Sequence, residues 1–158
     1  MTKSRRAPQA ELDDLLRRLE LAREELVETL KEIDSAQFER QSADGESIKT
    51  VLERTSDDVN LYYGRLAAQA LNLPQPPCMH KSEFMSLREA TLSIQVAHRR
   101  FTNLLHDLVP ADLEKVAAGE DHGEYTLRQV LEMAAAQYRL RTGQVQAMGG
   151  TSKRRRKP

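Results

Sequence analysis

Two polar residues that could do chemistry share one face of the last predicted helix. Gln137 and Arg141 stand four positions apart in a stretch with helical apolar spacing, so their side chains project one turn apart. Amide and guanidinium groups bind carboxylates and phosphates through their N–H donors. A guanidinium stays protonated and offers no lone pair to a metal ion. The pair therefore favours contact with an anion over metal coordination.

Histidine and cysteine are too few and too scattered to predict a metal or nucleophile site. His98 falls on the apolar stripe of the third predicted helix, where a hydrogen-bonded core histidine is the favoured interpretation. His80 lies beside Cys78 in a Pro-rich loop that offers too few further ligands for a soft metal. Cys78 has no adjacent base and cannot form an internal disulfide, so a reducing cytoplasm is the expected location. His106 and His122 are expected to face water.

Four amphipathic helices must position these residues. Apolar residues at helical spacing, together with capping and breaking residues, predict helices over 8–33, 47–71, 82 or 86 to 108, and 126–148. The stretch LNLPQPPCMHK holds three prolines in four positions and predicts a long connection between helices 2 and 3. Neither half of the chain could bury its stripes alone. The predicted fold class is therefore all-α, a single four-helix bundle.

The buried stripes are predicted residue by residue from the same spacing. In helix 4 the stripe consists of Leu127, Val130, Leu131, Ala134, Tyr138, Val145 and Met148. Thr126 is a candidate cap for this helix, and Gln129, three residues on, completes a capping-box pattern. In helix 2 the stripe runs from Ile48 through Val59 to Tyr62 and Ala70.

Charge divides the chain into an acidic body and two basic ends. Residues 1–7 and 149–158 hold eight of the 24 Lys and Arg residues and no acid, which leaves 16 basic and 24 acidic residues in 8–148. We expect both ends to be disordered and solvated, and an acidic body to repel nucleic acid. No apolar run suggests a membrane span, and MTKSRR lacks the apolar segment of a signal peptide.

Two segments resemble a known family. Helix 2, GESIKTVLERTSDDV, and helix 4, YTLRQVLEMAAAQYRLRTGQV, resemble the signature segments of the DinB/YfiT-like proteins, and the resemblance covers about residues 9–148. It implies a four-helix bundle of that type and a homodimer. Many members of the family bind a divalent metal, and some use it to activate a low-molecular-weight thiol for transfer to a substrate.

The resemblance also identifies where a metal would be held. Members that bind metal usually supply one histidine from helix 2 and two, four apart, from helix 4. Aligned with these segments, the positions are occupied by Arg54, Gln137 and Arg141. Amide oxygens bind transition metals poorly, and two guanidinium groups would repel a dication. We therefore expect the metal site to be lost and no cofactor to be held.

Other polar and aromatic residues could fill the space that the metal would leave. Asp57, Asp58, Tyr62, His98 and Tyr138 are candidates to line it. One hypothesis is a pocket in which the two arginines bind a small anion. The favoured alternative is an internal ion-pair cluster of either arginine with either aspartate, because buried charges usually find internal partners.

Three functions follow from these patterns. The first is a metal-free DinB-like protein that serves as a small-molecule (anion) binding or interaction module. The alternative is a metal-dependent thiol transferase or hydrolase with non-standard ligands, such as His98 with Asp57 or Asp58. A third, weaker hypothesis is association with nucleic acid through the basic ends.

Overall fold

A computed structural model describes residues 3–75, 81–119 and 123–156, with the side chains of 7–75, 81–119 and 123–149. The described chain is mostly helical, and the all-α prediction is confirmed at that level. The elements are α1 Lys3–Leu30, α2 Ser35–Glu39, α3 Ile48–Asp57, a π-helical segment Asp58–Tyr63, α4 Gly64–Ala70, α5 Leu87–Leu104, a 3₁₀ turn Pro110–Glu114, β1 Val116–Ala118, β2 Glu124–Thr126 and α6 Leu127–Arg156.

The last helix, α6, lies at the centre of the packing. It runs along α1 and also contacts α3, α4 and the π-helical segment, while α5 packs on α3. The predicted helix 4 stripe is buried from Leu127 to Val145, and Met148 is partly buried against the same core. On α1 the buried apolar residues at helical spacing are Leu12, Leu15, Leu19, Ala22, Leu26 and Leu30. Apolar burial between the two long helices therefore supplies much of the core.

Both terminal helices extend beyond their predicted ends. Helix α1 begins at Lys3 rather than Pro8, and α6 passes through Gly149-Gly150 to Arg156. Lys3–Ala7 contains no helix breaker. Pro8 is the sixth residue of α1, so it removes one intrahelical hydrogen bond without ending the helix. Gly149 is buried and lies against Ile33, so it serves close packing rather than helix termination. The domain boundaries predicted after residues 7 and 148 thus cut through helices.

The predicted helix 2 is one continuous helical path with an unforeseen change of register. Ser47 caps it, and its hydroxyl accepts a hydrogen bond from the Thr50 N–H at 3.0 Å. The path ends at Ala70, close to the predicted Leu71. In its middle, the π-helical segment Asp58–Tyr63 has wider turns than an α-helix. As a result Tyr63 is buried, whereas Tyr62, the residue predicted for the core, is only partly buried.

The third long helix starts at the second of its two candidate caps. The Ser86 hydroxyl accepts a hydrogen bond from the Glu89 N–H at 3.1 Å, and α5 ends at Leu104 rather than at Leu108. The chain before it is anchored on α3, because the Asp57 carboxylate accepts from the Ser82 N–H at 2.8 Å. Glu53 holds the next turn in the same way through the Phe84 N–H, also at 2.8 Å.

A short hairpin precedes α6 and was not predicted. Strands β1 and β2 pair antiparallel, with Ala117 opposite Tyr125. Thr126 and Gln129 then form the predicted capping box: the Gln129 N–H donates to the Thr126 hydroxyl at 3.2 Å, and the Thr126 N–H donates to the Gln129 side chain at 2.9 Å. None of the helices in the described residues combines the length and apolarity needed to span a bilayer.

Two glycines of α6 provide a matched test of this packing. Gly143 is exposed, and a Cβ there would meet nothing within 4 Å, so Gly143→Ala should stabilise the protein by about 1 kcal/mol through helix propensity. A Cβ at Gly149 would overlap the Cδ1 of Ile33, so Gly149→Ala should gain clearly less or destabilise. Chemical denaturation measures both free energies of unfolding. Equal gains at the two positions would contradict the close contact with Ile33.

Candidate functional site

One residue of the π-helical segment and two residues of α6 meet in a polar cluster. The Asp58 Oδ2 accepts hydrogen bonds from the Gln137 Nε2 at 3.3 Å and from an Arg141 Nη at 3.2 Å. Gln137 and Arg141 are four residues apart on α6 and present their polar ends to the same carboxylate. We call these three residues the Asp58 cluster.

Arg141 is the least exposed charge of the Asp58 cluster. Its side chain is 12% exposed, against 36% for Asp58, so the cluster opens to solvent on the carboxylate side. The other Nη of Arg141 donates to the Gln144 Oε1 at 3.1 Å. Its Nε is buried and has no hydrogen-bond partner. The guanidinium thus keeps one donor without an acceptor in a partly desolvated position.

Tyr63 belongs to the surroundings of this cluster and was not predicted for it. Burial raises the pKa of its hydroxyl to about 12, and the nearby Asp58 carboxylate adds to the increase, while Arg141 opposes it. The phenol is therefore neutral near pH 7 and can serve as a hydrogen-bond donor. The adjacent Tyr62 was predicted instead, because α-helical spacing does not anticipate the register of the π-helical segment.

Arg54 lies apart from the Asp58 cluster, which corrects its predicted place in a shared pocket. Its side chain is 51% exposed and forms a bidentate ion pair with Glu46, at 3.0 and 2.7 Å. Pairing at the surface avoids the cost of burying a guanidinium group. The hypothesis of two arginines around one anion is therefore wrong. The alternative, an ion-pair cluster, is observed between Arg141 and Asp58.

The remaining predicted lining residues are distributed over other contacts. The Asp57 carboxylate accepts a hydrogen bond from the Ser82 N–H. Tyr62 packs edge-on against Tyr63, with ring centroids 5.1 Å apart, and lines a separate pocket beside Arg65. His98 and Tyr138 contact each other in a second polar cluster.

This second cluster is a hydrogen-bonded chain across three helices. The His98 Nε2 lies 2.7 Å from the Glu20 Oε2, and its Nδ1 lies 2.9 Å from the Tyr138 hydroxyl. Because a carboxylate only accepts hydrogen bonds, a neutral His98 donates from Nε2 to Glu20 and accepts from Tyr138 at Nδ1. Arg23, one turn along α1, forms an ion pair with the same Glu20. We call these four residues the His98 chain.

The His98 chain has the composition of a catalytic triad but the burial of a structural contact. Burial raises the pKa of the Tyr138 hydroxyl, and this residue is only 1% exposed, so its oxygen cannot reach a substrate. Burial also lowers the pKa of His98, although Glu20 opposes the decrease. The prediction of a hydrogen-bonded core histidine is thus confirmed. Its partner Glu20 is 78 residues away in sequence, and no local pattern indicates the contact.

The ligand set of the enzymatic alternative does not come together. His98 contacts Glu20 and Tyr138, whereas Asp57 and Asp58 bind a backbone amide and the α6 residues respectively. Among the residues that the structure describes, no group of three or more His, Cys, Asp or Glu side chains is placed to hold a metal ion. His106 is exposed, as predicted. Cys78, His80 and His122 lie outside the described residues.

Comparisons with models of protein families, with curated proteins and with solved structures found no match to the chain.

The His98 chain predicts how stability depends on pH. The pKa of His98 is lowered from 6.5 in the folded state, so the unfolded chain binds more protons as the pH drops below about 6.5. The free energy of unfolding should therefore decrease as the pH falls through this range. The free energy of unfolding should decrease further when the pH falls below the usual pKa of a glutamate, because the pKa of Glu20 is also lowered in the folded state.

Urea denaturation at several pH values between about 5 and 8 measures this slope. His98→Gln should flatten it above about pH 5, whereas His106→Gln, at an exposed position, should leave it unchanged. A free energy of unfolding that increases towards pH 5 would show instead that His98 is charged and bound to Glu20 in the folded state.

Proposed function

We propose that this chain is a metal-free relative of the DinB/YfiT-like bundles and acts as a binding module for a small anionic ligand. The ligand site is the Asp58 cluster, with Arg141 as the residue that holds the anion. The homodimer that the resemblance implies belongs to the same proposal, and light scattering of the purified protein tests it.

The three side chains that meet in the Asp58 cluster support the proposal. The resemblance implies that a metal would be held by one residue from helix 2 and two, four apart, from helix 4. The Asp58 cluster has that composition: Asp58 comes from the helix 2 path, and Gln137 and Arg141 are four apart on α6. The helix 2 member is thus one turn later than Arg54, the residue that alignment suggested.

The chemistry of these side chains favours an anion over a metal. The Arg141 side chain is a guanidinium cation without a lone pair to donate, so it repels a metal ion. The Asp58 carboxylate alone is a weak site for a transition ion. In place of metal bonds, an ion pair and an amide contact connect the helix 2 path to α6. The cluster keeps the connection between the helices without the ion.

The single observation that carries the ligand class is the unpartnered Nε of Arg141 on a guanidinium whose only carboxylate partner in the described chain is Asp58. Arg23 also has an unpartnered Nε, but Glu20 and Glu24 both lie beside its guanidinium. A buried donor without an acceptor costs about 1–3 kcal/mol, and a carboxylate or phosphate oxygen placed there would remove that cost. Asp58 is the competing anion on the same guanidinium, and its partial exposure provides the open side of the site. A bound anion therefore either joins Asp58 or displaces it.

The first prediction concerns the place of the lost metal. Wild-type protein purified without a metal column should carry no stoichiometric zinc, nickel or iron. The triple variant Asp58→His, Gln137→His, Arg141→His should bind about one equivalent of Zn²⁺, because three imidazoles then point to one place. The matched variant with Arg54→His in place of Asp58→His should bind much more weakly. Comparable zinc binding by both variants would contradict the assignment of Asp58.

The second prediction concerns the anion. Acetate and inorganic phosphate are titrated separately at constant ionic strength. At least one of the two anions should raise the melting temperature of the wild type. Arg141→Gln should abolish the increase, and Asp58→Asn should tighten binding by about tenfold or more, because it removes the competing charge. Arg54→Gln, at an exposed guanidinium, is the control and should behave as the wild type.

Calorimetry follows each transition, and circular dichroism checks that each variant is folded. An increase that persists in Arg141→Gln would be a general salt effect and would rule out this site. The absence of any shift with both anions would also rule out the pocket.

A further inference from the structure

A second candidate site lies between α1 and α5, away from the Asp58 cluster and the His98 chain. These two helices leave a groove of about 550 Å³ between them. Its apolar lining consists of Val27, Leu30, Ile33, Leu87 and Leu92. All five are aliphatic, and no aromatic ring contributes to the lining. The volume falls within the range of small-molecule sites, which is roughly 300–1,000 Å³.

The apolar lining continues onto the surface of α5. Leu92 is 53% exposed, and Val96, one turn further along the helix, is 50% exposed. Single exposed aliphatic residues are ordinary, but here they extend an apolar groove along the helix direction. Arg88, Leu92 and Val96 stand four residues apart, so they form one strip along α5 on which a chain-like ligand can lie.

Basic residues occupy the polar lining of this groove. Arg88 of α5 and Lys31, the residue after α1, both line it, together with the uncharged polar residues Ser35, Thr91 and Gln95. Lys31 forms an exposed ion pair with Glu28 at 2.7 Å. Arg88 forms no hydrogen bond or ion pair with another described residue. The groove thus combines an aliphatic surface with a guanidinium that has no acidic partner in the described chain.

We propose that this groove binds a single-chain amphiphile with an anionic head group, of the medium-chain carboxylate class. The aliphatic side chains would bury the hydrocarbon chain, and Arg88 would hold the carboxylate through charge-assisted hydrogen bonds. A flexible alkyl chain suits an aliphatic strip along a helix better than a planar aromatic ligand does. This inference rests on other residues than the proposed function and does not depend on it.

Decanoate, kept below its micelle-forming concentration, is the probe. Isothermal titration calorimetry should show saturable binding of about one equivalent, and affinity should increase roughly tenfold for every two methylenes from octanoate to dodecanoate. Arg88→Gln should weaken decanoate binding about tenfold. Arg139→Gln, at an exposed arginine of α6 outside the groove lining, is the control and should have no effect. Leu92→Glu, at a half-exposed position, should abolish binding without unfolding the protein.

Three outcomes would overturn the proposal. Equal binding of decyltrimethylammonium would show that the head-group charge is not recognised. An unchanged affinity in Arg88→Gln would remove its assigned contact. The third outcome is hydrogen exchange of the groove amides that slows as the protein concentration rises but not when decanoate is added. It would assign the surface to a second copy of the chain. Arg141→Gln should retain decanoate binding, so that failure at one site is distinguishable from failure at the other.

Discussion

The ion pair between Asp58 and Arg141 is the constraint on which the polar interior of this molecule depends. Helix α6 carries a guanidinium that is 12% exposed, and removing the partner of a charge so placed is strongly destabilising. The partner comes from the one part of the helix 2 path that departs from α-helical geometry. Segments with π-helical turns occur often at functional sites. Here the segment brings a carboxylate to a largely buried guanidinium on α6.

Much of the fold could be predicted because its signals are local. The caps at Ser47 and Ser86 and the box formed by Thr126 and Gln129 depend on residues within one turn of each other. Apolar spacing likewise identified the buried faces of the long helices. The hairpin was missed because strands of three residues are too short for an alternating pattern. The predicted α1 and α6 are too short, because Pro8 and Gly149 are residue types that usually mark helix ends. Gly149 instead packs closely against Ile33, a tertiary contact that local sequence does not show.

The polar sites could be predicted only in part, because side-chain partners are distant in sequence. Spacing placed Gln137 and Arg141 together, and the need to neutralise a buried cation indicated an aspartate. Helical spacing could not show which arginine would be buried. That depends on Glu46, which forms an ion pair with Arg54 at the surface. The contact of Glu20 with His98 depends on the way α1 crosses α5, and local sequence holds no information about it.

Neighbouring residues of α6 lead to the two polar clusters, and the number of carboxylates beside each arginine separates their roles. Tyr138 joins the His98 chain, in which both ring nitrogens have partners and the tyrosine is fully buried. His98 and Tyr138 therefore connect helices and leave no group for a ligand. The Nε of Arg23 in the same chain is buried without an acceptor, but its guanidinium has two carboxylates nearby, those of Glu20 and Glu24. Gln137 and Arg141 join the Asp58 cluster, in which one buried donor lacks an acceptor and the carboxylate reaches solvent. Arg141 has only one carboxylate partner among the described residues, whereas Arg23 has two, so an added anion is proposed for the Asp58 cluster and a structural role for the His98 chain.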